Sequence, residues 1–182
     1  MIKSILIYIF LILIMLIVFA VAFVNLAPQF GSNPTSEQKK HYETFSNFNK
    51  GSFKNLEYTP VMTDEVSTWD FFKKGSERKP NGYIVPHKFD YSLFSNSEGD
   101  NYKISWLGHS AFIINISGKI ILLDPMLGSH AAPIPIPSLK RYNKIIPIDL
   151  DSLKNIDIVI ISHDHYDHLD YSTIIRIKNN VK

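Results

Sequence analysis

An α/β fold is predicted by two observations. Between Tyr102 and Leu123 short apolar stretches are punctuated by turn residues, and the apolar run Ile158-Val159-Ile160-Ile161 leads through a polar loop into a helix-forming segment. A third observation places an anchor ahead of this domain. Ile5 to Val24 is an unbroken run of 20 apolar residues, counting Tyr8, and Lys3 is the only charge before Glu37. The implied organisation is a transmembrane anchor over 1–27, a linker with an amphipathic helix over 28–56, and an α/β domain over 57–182.

At about 1.5 Å per residue the apolar run spans roughly 30 Å as a helix, which matches the hydrocarbon core of a bilayer. Ala20-Val21-Ala22 offers small residues for signal cleavage. A signal peptide's apolar region is only about 7–15 residues long, so an uncleaved anchor is the expectation. Flanking charge is sparse, and long domains translocate largely regardless of it, so the domain is expected on the extracytoplasmic side. Beyond the anchor, Pro34 is expected at the first helical position after Asn33, with Thr35 and Gln38 at capping-box spacing. The helix should run to about Phe48 and carry Tyr42 and Phe45 on one stripe, packed on the domain or touching lipid headgroups. Lys73, Lys74, Arg78 and Lys79 form a small basic run, read as a solvated surface, with a patch for anionic lipid headgroups as the alternative.

Within the α/β domain, residues 104–107 and 111–116 read as strands, and Ser117-Gly118 turns the second into Lys119 to Leu123. Five of the ten prolines fall between Pro125 and Pro147, so that stretch should be irregular. Asp151-Ser152 should start a helical turn, Ile158 a buried strand, and Asp170 should cap a last helix through Ile174, Ile175 and Ile177.

The chemistry is concentrated in Ser162-His163-Asp164-His165-Tyr166-Asp167-His168-Leu169. Zinc takes imidazole nitrogen and carboxylate oxygen, and these side chains are offered as one unit at a strand end. His163 and His165, two apart in extended backbone, project from one face and can grip one metal together. Asp167 and His168 come next as the chain turns, within reach of a second. His41, His87 and His130 have no spacing that recommends them as ligands. Composition agrees with a tethered globular domain: 182 residues, 45% hydrophobic, 20% charged, net charge +2. No basic concentration points to nucleic acid, and the absence of cysteine excludes disulfides and thiolate zinc sites.

The His-x-His-x-Asp-His motif resembles the signature of the metallo-β-lactamase superfamily. Trp106-Leu107-Gly108-His109-Ser110-Ala111-Phe112, Ile121-Leu122-Leu123-Asp124-Pro125, and the proline-rich stretch from Ala132 through Tyr142 are similar to one branch of it. Gly51-Ser52-Phe53-Lys54-Asn55-Leu56 resembles that branch's upstream segment. The branch holds N-acyl-phosphatidylethanolamine-hydrolysing phospholipase D-like and lactonase-like metal-dependent hydrolases.

This resemblance implies the first half of an αβ/βα sandwich and a binuclear site for two Zn2+ ions, with iron or manganese as alternatives. His163 and His165 would hold one metal, Asp167 and His168 the other, with Asp167 also the catalytic base. His109 and Asp124 would hydrogen-bond the ligand imidazoles. The alternatives are a strand-end histidine satisfied by its neighbours and a turn aspartate before Pro125. Members of the family complete the site with a further histidine, a bridging aspartate and a last histidine. Tyr171 to Lys182 contains no His, Asp or Glu. A missing C-terminal half or a partner chain is therefore expected to complete the site, and an apolar sheet face should stand uncovered. Two readings stay open: a hydrolase of a membrane-lipid phosphodiester or of a soluble lactone or ester, or a non-catalytic anchored remnant that binds metal weakly or not at all.

Overall fold

The computed structural model describes residues 2–60, 80–82, 84–96, 102–143 and 145–182. The basic run Lys73, Lys74, Arg78 and Lys79 lies outside the described residues. The chain divides into two compact units, Met1–Ser76 and Glu77–Lys182.

In the first unit, helix α1 (Ile2–Leu26) is continuous over 25 residues, with a mean hydropathy of 3.4 over its most apolar window. It is long and apolar enough to cross a membrane. Helix α2 (Ser36–Tyr42) is shorter than its sequence suggests, and Pro34 lies outside it. Thr35 is the N-cap, and both halves of the capping box form: Gln38 N–H donates to Thr35 Oγ1 at 3.2 Å, and Thr35 N–H to Gln38 Oε1 at 2.8 Å. The helix stops at Tyr42 instead of Phe48 because the next residues make a hairpin of β1 (Phe48–Asn49) and β2 (Ser52–Phe53). Lys50 and Gly51 both take positive φ, 51° and 80°, as a two-residue turn between right-twisted strands requires. The hairpin brings Phe48 and Phe53 to Tyr42, with ring centroids 5.7 and 5.4 Å away, and Phe53 to Phe45 at 6.0 Å. Aromatic packing outweighs the last turn of helix there.

In the second unit a short helix α3 (Tyr91–Ser95), capped by Asp90, precedes strands β3 (Tyr102–Gly108), β4 (Ala111–Ile116), β5 (Lys119–Leu123) and β6 (Ile158–Ile160). They form one sheet in the order β3-β4-β5-β6, the first pairs antiparallel and the last parallel. The register slips between Trp106 and Gly108, so Leu107 is an extra residue in β3. Such a bulge re-aims the backbone beyond it, here the turn that carries His109. The stretch from Pro125 to Pro147 holds no strand or α-helix among the described residues, only turns, one 3-10 turn and an isolated bridge between His130 and Lys140, and a further 3-10 turn spans Leu150–Ser152. Helix α4 (Tyr171–Ile177) then lies on the sheet face lined by Ile113, Ile120 and Leu122, with Leu153, Ile156 and Ile177 closing the core.

The opposite sheet face is apolar and open. Register aligns Ile104, Ile114, Ile121 and Ile158 in one row and Trp106, Phe112, Leu123 and Ile160 in the next. Ile158 and Ile160 are 47% and 45% exposed, so the strand that reads as fully buried is buried on one side only. A continuous apolar run signals two covered faces, and among the described residues one is covered.

Two carboxylates fasten the layers. Asp170 caps α4 and is 1% exposed; it accepts Ser172 N–H at 3.1 Å, Thr173 Oγ1–H at 2.6 Å and Gly128 N–H at 2.8 Å. A side chain at Gly128 would meet Asp170 Oδ2 at 2.6 Å, so the loop after β5 approaches the cap as only glycine allows. Asp157 joins β5 to β6 by accepting Ile120 N–H at 2.9 Å, Lys182 Nζ at 2.9 Å and Lys119 Nζ at 3.4 Å.

Asp170→Ala should lower stability by about 2–3 kcal/mol, because it removes a cap and leaves the Gly128 N–H without an acceptor. Urea unfolding measures this, and a loss under about 0.5 kcal/mol would contradict the fastening role. The Ile120 N–H, and then Lys182 and Lys119, hold Asp157 down to about 2 from its ordinary 3.8. A depressed folded-state value makes this contribution full above about pH 4 and lost as pH falls through about 2. Asp157→Asn should therefore flatten the acid limb of the stability curve in that window, and an unchanged limb would count against it.

Candidate metal centre

Three corners of the second unit meet at one end of the sheet. The first is the β3–β4 turn, where Gly108 at φ 112° and His109 at φ 48° reverse the chain after the bulge. The Trp106 indole N–H donates to the His109 carbonyl at 2.7 Å and holds that turn. The second is the end of β5, where Asp124 takes φ 42° before Pro125. Asp and His tolerate the left-handed region better than most side chains, and such conformations collect at functional sites. The third is the loop after β6. Its single helical turn, with His168 N–H and Leu169 N–H both on the His165 carbonyl at 3.0 and 2.8 Å, folds Asp167 and His168 back over the sheet end.

Asp124 organises these corners. Its backbone N–H donates to Ile160 O at 2.9 Å, continuing the β5–β6 ladder. Its carboxylate is buried and accepts Ser162 N–H at 2.7 Å, Ser162 Oγ–H at 2.7 Å and His168 Nδ1–H at 2.9 Å. Burial alone would raise its pKa, but these bonds outweigh burial and hold the carboxyl below the ordinary carboxylate range. With Nδ1 carrying the proton, His168 presents Nε2 with a free lone pair.

The histidine rings cluster around that point, tilted or edge-on to one another. The His163 ring centre lies 4.0 Å from that of His168 and 4.6 Å from that of His165. His109 Nε2 lies 3.1 Å from Asp167 Oδ2, and the same oxygen lies 3.8 Å from His168 Nε2. The loop thus gathers His163, His165, Asp167 and His168, and Asp124 bonds one of those imidazoles. His109 differs from the sequence-based expectation: its hydrogen bond goes to the Asp167 carboxylate, while its ring meets His168 edge-on at 5.4 Å. Asp164 is exposed and sits between the histidines without joining them.

Two residues were not singled out from sequence. Ser162 Oγ bridges Asp124 to His163 Nδ1 at 3.0 Å, and Ser110 Oγ lies 3.1 Å from His168 Nδ1. Each is a hydroxyl adjacent in sequence to a site histidine, which is the one signal that could have flagged them. Among the described residues the clustered donor atoms are those of His109, Asp167 and His168, all within 4.8 Å of one another, a set suited to zinc, iron or manganese; His163 and His165, expected to grip one metal together, are not part of that cluster.

Residues 103–182 match a family model described as a beta-lactamase superfamily domain. An uncharacterized protein of Mycobacterium tuberculosis is 28% identical over 140 residues, covering 74% of this chain and 37% of that protein. The N-acyl-phosphatidylethanolamine-hydrolyzing phospholipase D 1 of Caenorhabditis elegans is 36% identical over 75 residues, 41% of this chain and 21% of its own. A UPF0173 metal-dependent hydrolase of Metallosphaera sedula is 36% identical over 81 residues, 44% of this chain and 30% of its own. The chain spans well under half the length of each of these relatives.

If Asp124 sets the His168 tautomer, Asp124→Ala should shift His168 away from its Nδ1-protonated form. Nitrogen chemical shifts of labelled histidine report that ratio, and an unchanged ratio would show that Ser110 or Ser162 sets it instead.

Proposed function

We propose that this chain, whose residues 103–182 match a beta-lactamase superfamily domain, carries metal-liganding residues of a zinc-dependent hydrolase of the metallo-β-lactamase type acting on a membrane-lipid phosphodiester. The observation that carries the reading is the buried Asp124–His168 bond, which commits Nδ1 to the protein and leaves Nε2 for a metal beside Asp167. A surface histidine cluster with no metal to hold has no need of a buried carboxylate to orient it.

In this reading His163 and His165 hold one metal, and Asp167 and His168 a second. Bound zinc supplies Lewis acidity towards a phosphoryl oxygen and lowers the pKa of a water. Asp167, 37% exposed at its side chain, takes the proton of the attacking water. Its Oδ2 is steadied by His109, so the carboxylate is oriented before substrate arrives. Asp124 cannot share that task, because its oxygens are committed to Ser162 and His168 and closed to solvent. The lipid assignment rests on two supports: the name of the Caenorhabditis elegans relative, and a helix α1 able to hold the domain at a bilayer. We place the domain on the extracytoplasmic side.

Membranes from cells expressing the chain together with a segment that supplies the remaining family ligands, given zinc, should cleave N-acyl-phosphatidylethanolamine in mixed vesicles to N-acylethanolamine and phosphatidic acid. His163→Ala should weaken zinc retention by more than about 100-fold, since even groups behind the ligands cost about 10–100-fold. Asp167→Asn should abolish cleavage. Cleavage of a soluble lactone or ester with no action on vesicle lipid would overturn the lipid assignment. Equal zinc retention by the His163→Ala chain and its parent would overturn the metal assignment.

A further inference from the structure

We propose that the unit carrying α1 binds the headgroup of a phospholipid with a free ammonium, of the phosphatidylethanolamine class, in an aromatic pocket between α2 and the β1–β2 hairpin. The inference rests on α1 spanning a bilayer and on nothing in the metal centre. The ligand differs from the substrate above, because N-acylation removes the positive charge that this pocket reads.

The pocket has a volume of about 390 Å³, within the roughly 300–1,000 Å³ usual for small-ligand sites. Its apolar wall is Tyr42, Phe48 and Phe53, with ring centroids 4.9–5.7 Å apart and interplanar angles of 57–63°. Phe53 is 50% exposed, so the cluster is a lining and not a closed core. An open ring face attracts a cation placed within about 6 Å of its centre. The polar wall is Lys39 and Glu43, four residues apart along α2 and its C-terminal end. Helical ion pairs form at that spacing. These two side chains do not pair: among the described residues neither makes an ion pair or a hydrogen bond. A cation and an anion left unbonded beside an aromatic wall match a ligand that carries the same two charges. In an ethanolamine headgroup a two-carbon bridge joins phosphate to ammonium. Lys39 Nζ would donate to a phosphate oxygen, while the headgroup ammonium donates to the Glu43 carboxylate and lies against a ring face. A trimethylammonium headgroup has no N–H to give Glu43.

The tether to α1 places the pocket at a lipid surface. Pro34 follows Leu26, the last residue of α1, by eight residues. Fully extended, such a tether reaches at most about 29 Å. It is not extended: Pro28–Phe30 form a 3-10 turn, and Phe30 packs edge-on against Phe23 of α1 with ring centres 5.5 Å apart. The pocket is therefore held near the end of the span, where the headgroups lie.

The full-length chain, with isotope-labelled aromatic rings, is reconstituted in phosphatidylglycerol bicelles into which phosphatidylethanolamine is titrated. Ring signals of Tyr42, Phe48 and Phe53 should shift to saturation, with cross-relaxation to the headgroup methylene beside nitrogen. Phosphatidylcholine should bind about 3–5-fold more weakly, the most that one exposed charge pair supplies. Glu43→Gln should erase that preference and leave circular dichroism unchanged. A preference that survives Glu43→Gln, or ring signals indifferent to added phosphatidylethanolamine, would overturn the proposal. Soluble phosphoethanolamine binding as tightly as the lipid would overturn it in favour of a soluble ligand. Each of these results leaves the hydrolase reading standing. A chain that does not co-migrate with the bicelles would overturn the anchor itself and this proposal with it.

Discussion

The buried carboxylate of Asp124 is the constraint on which the rest of the site depends. It stands where β5 ends, in a backbone conformation that few side chains adopt, and each of its hydrogen bonds reaches into the loop after β6. Removing such a group from water costs several kcal/mol unless every lone pair is used, so its position and that of its partners are set together. Ser162 is tied twice, through N–H and hydroxyl, and the loop can leave the sheet in only one direction. His168, six residues later, returns to the same oxygen. The motif residues between these two points are therefore held as a closed arch rather than a free loop.

That arch divides the site into a rigid half and an adaptable one. Asp124 is buried and His168 half-buried at the sheet end, where a lower dielectric strengthens the bond between them, and the exposed Ser162 is tied to the same carboxylate. His163, His165, His109 and Asp167 are open to solvent to varying degrees, where a charge pair is worth about 0–1 kcal/mol. Their arrangement depends on backbone: the bulged β3–β4 corner for His109, and the single helical turn after His165 for Asp167. Side chains of this kind can re-orient over a fixed backbone by rotating a few torsions.

Most of this was legible in the sequence where the signal was local. The hairpin at Ser117-Gly118, the Asp170 cap, the capping box at Thr35 and Gln38, and the proline-rich irregular stretch all depend on residues a few positions apart. The long-range facts were harder. Tyr42 ends its helix because rings at Phe48 and Phe53 fold back on it, and no helix propensity records that competition. The metal loop was visible as a string of donors, but the bond from His109 to Asp167 joins residues 58 apart and depends on a one-residue bulge. Ser162 and Ser110 escaped notice because serine is common, and only a buried acceptor gives its hydroxyl meaning.

The uncovered sheet face bears on the chemistry as well as on the fold. Its last row, Trp106, Phe112, Leu123 and Ile160, ends where the site begins: Leu123 precedes Asp124, Ile160 lies two residues before Ser162, and the Trp106 indole holds the His109 carbonyl. Trp106 is 65% exposed, so a bond that fixes a site corner is itself carried by a residue in water. Any apolar surface that comes to lie on this row would desolvate that indole, stiffen the His109 turn and lower the dielectric along one wall of the site. Charge interactions there strengthen roughly in proportion to the fall in dielectric, from about 1 kcal/mol per close pair in bulk water to about 4 near a protein surface. The strength of the exposed half is therefore coupled to the covering of a face that holds no ligand at all.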